Sequence, residues 1–80
     1  MTCYYFDLRE DNEFIIDEEG LELRDTKAVQ KEAALAVSGL ARDSVENFNG
    51  AQSHHMAIEV RDEHGPVMEV KFSCEIVRKQ

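Results

Sequence analysis

The segment from Asp25 to Gly50 constrains the fold most, because it is the one stretch of this 80-residue chain with sustained helical periodicity. Asp25 is suited to accept hydrogen bonds from the first free backbone N–H groups, and Asn49-Gly50 tolerates the left-handed backbone needed after a last turn. The pattern predicts one long helix. Apolar and small residues recur at three- and four-residue steps and form one buried stripe: Val29, Ala33, Ala36, Val37, Leu40, Ala41, Ser44 and Phe48.

Strand patterns lie on both sides of this helix. Residues 3–8 and 14–16 precede it and are separated by a polar turn, whereas residues 56–61 and 68–76 follow it and alternate apolar with polar side chains. The fold class is therefore predicted as α+β with the order ββαββ, a four-stranded antiparallel sheet with one long helix packed on one face. The spatial strand orders 2-1-3-4 and 1-2-4-3 both satisfy the connections, and the first is favoured because it centres the aromatic first strand. The length predicts a single domain over residues 1–80.

The register of the first hairpin depends on the length of its loop. A three-residue loop over 11–13 pairs Leu8 with Ile16 and turns Phe14 and Ile16 inward, whereas a two-residue loop pairs Leu8 with Ile15 and reverses the faces. We favour the three-residue loop because it buries two large side chains.

Charge and hydropathy exclude two classes of partner. The formal net charge of −8 repels nucleic acid, and no cluster of basic residues offsets it. No apolar run approaches the ~20 residues needed to span a bilayer, and the N-terminus lacks the layout of a secretory signal. A cytoplasmic protein is expected, with no nucleic acid and no membrane among its partners.

The acidic turn of Asp17, Glu18, Glu19 and Glu22 offers oxygen ligands for a divalent metal, but it lacks the spacing of a calcium loop. Exposed neighbouring carboxylates are more often solvated. Neighbouring side chains on a strand point to opposite faces, so His54 and His55 are not expected to chelate one ion. No catalytic motif is present. We therefore predict no metal, no cofactor and no enzymatic activity, and keep a divalent-metal protein or small enzyme using Asp17–Glu22 as the alternative.

Three motifs together resemble a known family. They are Tyr4-Tyr5-Phe6-Asp7-Leu8, Asp17-Glu18-Glu19-Gly20 and Ala57-Ile58-Glu59-Val60-Arg61-Asp62-Glu63, separated by an alanine-rich helix. The set is similar to a short alphaproteobacterial family, common in rhizobia, that is classed only as a domain of unknown function. The resemblance implies a bacterial origin and a self-contained module without a signal peptide, and it implies no activity, ligand or catalytic residue.

The sheet face opposite the helix is the predicted functional surface, because a single helix covers only one face. A non-catalytic interaction or regulatory module is therefore expected, acting as a homo-oligomer or by docking a basic protein partner. The alternative for the same face is ordinary cross-strand charge pairing in contact with solvent. The candidate surface residues are Tyr5, Ile15, Glu59, Arg61 and Lys71.

Overall fold

A computed structural model of the chain describes residues 1–46 and 53–75 together with 77 and 79. The α+β class is confirmed, with one helix and an antiparallel sheet. The sheet has five strands within the described residues, so the prediction of four is wrong. The elements in chain order are β1 (Thr2–Glu10), β2 (Glu13–Ile15), β3 (Leu21–Leu23), α1 (Thr26–Glu46), β4 (Ser53–Asp62) and β5 (Gly65–Glu75).

Strand β1 lies at the centre of the sheet. It pairs with β4 along one side, and along the other side it pairs with β3 through its first half and with β2 through its second half. Strand β5 pairs with the far side of β4. This is the favoured order with the aromatic strand in the centre. The predicted second strand, residues 14–16, corresponds to β2, whereas β3 is an additional strand beside β1 that the four-strand prediction lacks. Residues 16–20 connect β2 to β3.

The hairpin between β1 and β2 has the two-residue loop, so the favoured three-residue loop is wrong. Glu10 pairs with Glu13 and Leu8 pairs with Ile15. Asp11 adopts a positive φ of 51°, as two-residue hairpins require, and aspartate tolerates this conformation. The Asp11 N–H also donates to the His55 carbonyl at 3.1 Å, which extends the β1–β4 ladder into the loop. Backbone geometry at the loop therefore overrides the gain from burying two large side chains.

Helix α1 packs on one face of the sheet through the predicted stripe. Asp25 Oδ1 accepts the Ala28 N–H at 2.8 Å, so the predicted cap is confirmed. The predicted stop at Asn49-Gly50 and the side chains of Ser44 and Phe48 lie outside the described residues. Within the described part of the chain, no helix is both long and apolar enough to cross a membrane. The centre of the core comprises Val29, Ala33 and Val37 of the helix with Tyr4, Ile58 and Val60 of the sheet.

The face of the sheet opposite the helix is called the open face below. Ile15 does not belong to it, because the register places Ile15 opposite Leu8, whose side chain packs against the core under the helix. The prediction that placed Ile15 on the open face followed from the wrong loop length. Strands β1, β4 and β5 place these residues on the open face: Cys3, Tyr5, Asp7, Arg9, Ala57, Glu59, Arg61, Glu69, Lys71 and Ser73.

Candidate functional site

The segment 10–22 forms one side of the sheet and carries an extreme charge. It contains seven carboxylates and neither lysine nor arginine, so it holds a large part of the net charge of −8. Its strands β2 and β3 are the outer neighbours of β1. We call this segment the acidic edge. Its carboxylates are Glu10, Asp11, Glu13, Asp17, Glu18, Glu19 and Glu22.

The acidic edge also carries exposed apolar side chains. Seven large hydrophobic residues are exposed among those described, and four of them lie within this edge. Phe14, Ile15, Ile16 and Leu21 keep between 43% and 56% of their surface exposed. Exposed apolar groups that cluster beside polar ones are typical of protein–protein contacts, whereas scattered ones are common on any surface.

Asp17 attaches this edge to the sheet. No strand among the described residues pairs with the outer side of β1 between β2 and β3, and Asp17 Oδ2 accepts the Phe6 N–H at 3.1 Å in that gap. The Asp17 carboxylate thus takes the place of the backbone carbonyl that a neighbouring strand would offer to the Phe6 N–H. Asp17 Oδ1 accepts the N–H groups of Glu19 and Gly20 at 3.1 and 3.2 Å, which folds the turn around the side chain.

A charge pair on the open face holds the same turn. Asp7 is only 5% exposed, and its Oδ2 accepts a hydrogen bond from Arg61 Nε at 2.9 Å. Asp7 Oδ1 accepts the Asp17 N–H at 2.9 Å, and Arg61 Nη2 donates to the Asp17 carbonyl at 3.1 Å. The guanidinium also stacks on the Tyr5 ring at 4.5 Å from its centroid. A buried carboxylate is costly without such partners, so the arrangement is stable only when complete.

These contacts also set the pKa of the turn carboxylate. Burial raises the pKa of Asp17, but the N–H groups of Phe6, Gly20 and Glu19 and the Arg61 charge lower it, and the net shift is downward. The hydrogen bond to Asp7 raises the pKa of Arg61. Both groups are therefore charged near neutral pH.

Gly20 is required by this geometry. Its φ is +74°, and a Cβ there would lie 2.7 Å from Cys3 Sγ and 2.9 Å from Tyr5 Cε1. The end of the turn therefore packs directly onto the open face beside Tyr5. A hydrogen bond between Cys3 and Tyr5 raises the pKa of the tyrosine hydroxyl.

The candidate surface residues on the open face take part in intramolecular charge pairs. Arg9 Nε lies 2.6 Å from Glu59 Oε2, a hydrogen bond that raises the pKa of Arg9. Lys71 Nζ lies 3.6 Å from Glu69 Oε1. The structure thus places Tyr5, Glu59, Arg61 and Lys71 on one face as predicted, but it places them in the paired arrangement that the solvent-facing alternative describes. Ile15 lies apart from them, on the acidic edge.

The alternative of a metal site or enzyme gains no support from the geometry. Both Asp17 oxygens already accept backbone N–H groups, and the described residues include no group of three ligands placed to hold a metal ion. Ser73 lies opposite His55 on the open face beside a depression of ≈ 400 Å³. No hydrogen bond joins the two side chains, and the nearby Asp11 carboxylate contacts His54 at 3.3 Å instead. A nucleophile needs a base within hydrogen-bonding distance and an orienting partner for that base.

Sequence reasoning missed two parts of this site. The sequence pattern does not distinguish Asp7, because a carboxylate in an aromatic strand gives no sign of the arginine that reaches it from β4. Phe14 and Ile16 were assigned to the core and are exposed instead. The acidic edge itself has a sequence signal, since residues 10–22 contain no basic side chain at all.

Comparison with known proteins identifies a family and nothing further. Residues 3–73 match a family described as a domain of unknown function (DUF6894). The match agrees with the coarser part of the resemblance, an uncharacterised family, whereas the bacterial origin remains a prediction. No curated protein and no solved structure matches the chain.

Proposed function

The chain belongs to the DUF6894 family of domains of unknown function, and we propose that it is a non-catalytic interaction module that binds a basic, amphipathic segment of a partner protein. The binding surface is the acidic edge. The observation that carries the proposal is that seven carboxylates and four exposed large hydrophobic residues share one edge of the sheet. The cytoplasmic location and bacterial origin expected from the sequence belong to the same proposal.

Each component of the edge has a separate role in binding. The carboxylates attract a basic partner over long distances and speed the encounter, an effect that weakens with added salt. The apolar side chains supply affinity once contact is made, because binding energy concentrates in buried apolar anchors. Lysine or arginine alternating with large apolar residues would complement both components.

The anchoring by Asp17 supports a binding role. An exposed turn normally loses conformational freedom when it binds, and this loss weakens the complex. Here the carboxylate, Asp7 and Arg61 already hold the turn in one conformation. The open face, by contrast, has its charges paired within the chain, so it contributes only its border, which comprises Tyr5 and Phe14, the residue opposite Arg9.

The test is a titration of isotope-labelled protein with a synthetic peptide of alternating lysine and leucine. We expect saturable amide shifts centred on residues 13–22 and an affinity that falls with added salt. A peptide of alternating lysine and serine carries the charge without the apolar component, and it should bind about tenfold more weakly.

Matched variants make the location of binding testable. The double variant Ile15→Ser, Ile16→Ser should weaken binding of the lysine–leucine peptide by about tenfold. Leu35→Ser is the control, because Leu35 is equally exposed but lies on the helix. Equal affinity in the double variant and the parent, or shifts spread evenly over the helix and β5, would contradict the proposal.

A further inference from the structure

The two edges of the sheet differ sharply. The edge formed by β2 and β3 offers two strands of three residues each, interrupted by the turn that Asp17 anchors. Short, interrupted edge strands are one way in which proteins prevent pairing with other chains. The opposite edge is β5, which runs through eleven residues, and no described strand pairs with its outer side.

The apolar side of β5 is incompletely covered. On β4, Met56, Ile58 and Val60 are buried under the helix. Their partners on β5 are Phe72, Val70 and Met68, and all three are only half-buried. The apolar layer of the sheet thus continues to this edge and is only partly covered there.

From these observations we infer that β5 pairs in antiparallel fashion with β5 of a second copy of this chain, around a two-fold axis at Val70. Val70 is the midpoint of Gly65–Glu75 and of the regular stretch Met68 to Phe72, so this register pairs that stretch of one copy with the same stretch of the other. It sets Glu69 of each copy opposite Lys71 of the other on the open face. On the helix side it sets Val70 opposite Val70 of the other chain, and Met68 opposite Phe72 of the other chain.

Charge selects this register over its neighbours. Residues directly opposite one another in an antiparallel pair point to the same face of the sheet. The two-fold axis must therefore pass through a residue and not between two residues, and the nearest alternative registers place it at the residue before or after Val70. Moving the axis to Lys71 brings the two lysines together, and moving it to Glu69 brings the two glutamates together. Like charges directly opposite are destabilising, whereas the Val70 register forms two opposite-charge pairs.

The intramolecular pair of Lys71 and Glu69 does not oppose this exchange. Its atoms lie 3.6 Å apart on exposed side chains, and exposed pairs of this kind contribute little. The register shift between β4 and β5 lies near Arg61, so regular pairing covers the central residues Met68 to Phe72. The inference does not depend on the proposed function. If both hold, a continuous ten-stranded sheet carries one acidic edge at each end and can bind two basic segments at once.

The test uses charge reversal and sedimentation equilibrium of the full chain over a wide range of micromolar concentrations. We expect the parent to dimerise, and Lys71→Glu and Glu69→Lys each to weaken the dimer by about tenfold or more, because each places like charges opposite one another twice. An equimolar mixture of the two variants should associate at least as tightly as the parent, since both cross-pairs are then complementary.

Controls separate this register from a general charge effect. Glu69→Lys lowers the net negative charge, so a general effect would strengthen self-association rather than weaken it. Glu63→Lys makes the same charge change in the turn between β4 and β5 and should leave the dimer unchanged. A parent that stays monomeric throughout, a dimer indifferent to both reversals, or a mixture no tighter than either variant alone would overturn the inference. Circular dichroism spectra of all variants should match that of the parent.

Discussion

Replacing Asp17 with alanine tests whether one carboxylate holds the acidic edge against the sheet. The change removes the acceptor for the N–H groups of Phe6, Glu19 and Gly20 while leaving the backbone free to keep its path. We expect a large loss of stability for a side chain that lies close to the surface.

The magnitude follows from the three hydrogen bonds. The Phe6 N–H lies in a partly buried position, and losing a charged acceptor there costs about 1.5–3 kcal/mol. Water can replace the acceptor for the exposed Glu19 N–H and reaches the partly buried Gly20 N–H less easily, so these two add on the order of 1–2 kcal/mol together. The total, towards the upper end of about 2–4 kcal/mol, compares with a stability of about 4–12 kcal/mol for a domain of this length. The melting temperature should fall by ~10–30 °C.

Urea denaturation followed by circular dichroism measures this loss. Glu18→Ala is the matched control, because Glu18 is an exposed neighbour in the same turn, and it should stay within about 0.5 kcal/mol of the parent. Asp17→Asn keeps one acceptor oxygen and should fall between the two. If Asp17→Ala unfolds within about 0.5 kcal/mol of the parent, the carboxylate does not replace a strand and the anchoring argument fails.

The remaining predictions concern pH, backbone and core. The pKa of Asp17 is lowered in the folded state, so its contribution is present above the unfolded value near 3.8 and is lost as the pH falls below it. The stability difference between the parent and Asp17→Asn should therefore shrink below that pH in urea melts, and a constant difference would contradict the assignment. Gly20→Ala should lower the free energy of unfolding by about 1–3 kcal/mol in thermal melts, because Gly20 has a positive φ and the added Cβ would lie 2.9 Å from the Tyr5 ring. Gly39→Ala should raise it by about 0.5–1 kcal/mol, because Gly39 is helical and an added Cβ there meets no atom within 4 Å. Val37→Asp buries a charge in the core and should abolish the cooperative melt; a folded variant would disprove the stripe.

The helix and the alternating strands were predictable because their signals are local. The cap at Asp25 and the buried positions of Val29, Ala33 and Val37 depend only on spacing within one segment, and the structure places them as predicted. The alternation in β4 and β5 likewise determines which side chains face the helix. Even the acidic edge was visible as thirteen residues without a basic side chain.

The sequence alone determined that one helix packs on a sheet and which side chains of the helix and of the long strands face each other. The tertiary structure decided the register of the first hairpin and the contacts that attach the acidic edge. A one-residue difference in loop length turned Phe14 away from the helix side and Ile15 towards it, because strand faces alternate with a period of two. Ile15 is nevertheless 55% exposed, so the core does not extend to this edge on either face. The contact of Asp17 with Phe6 joins residues that are 11 positions apart in the sequence, and the contact of Asp7 with Arg61 joins residues that are 54 positions apart. Such pairs leave no periodic trace in a chain, since they exist only where separate strands have already been brought side by side.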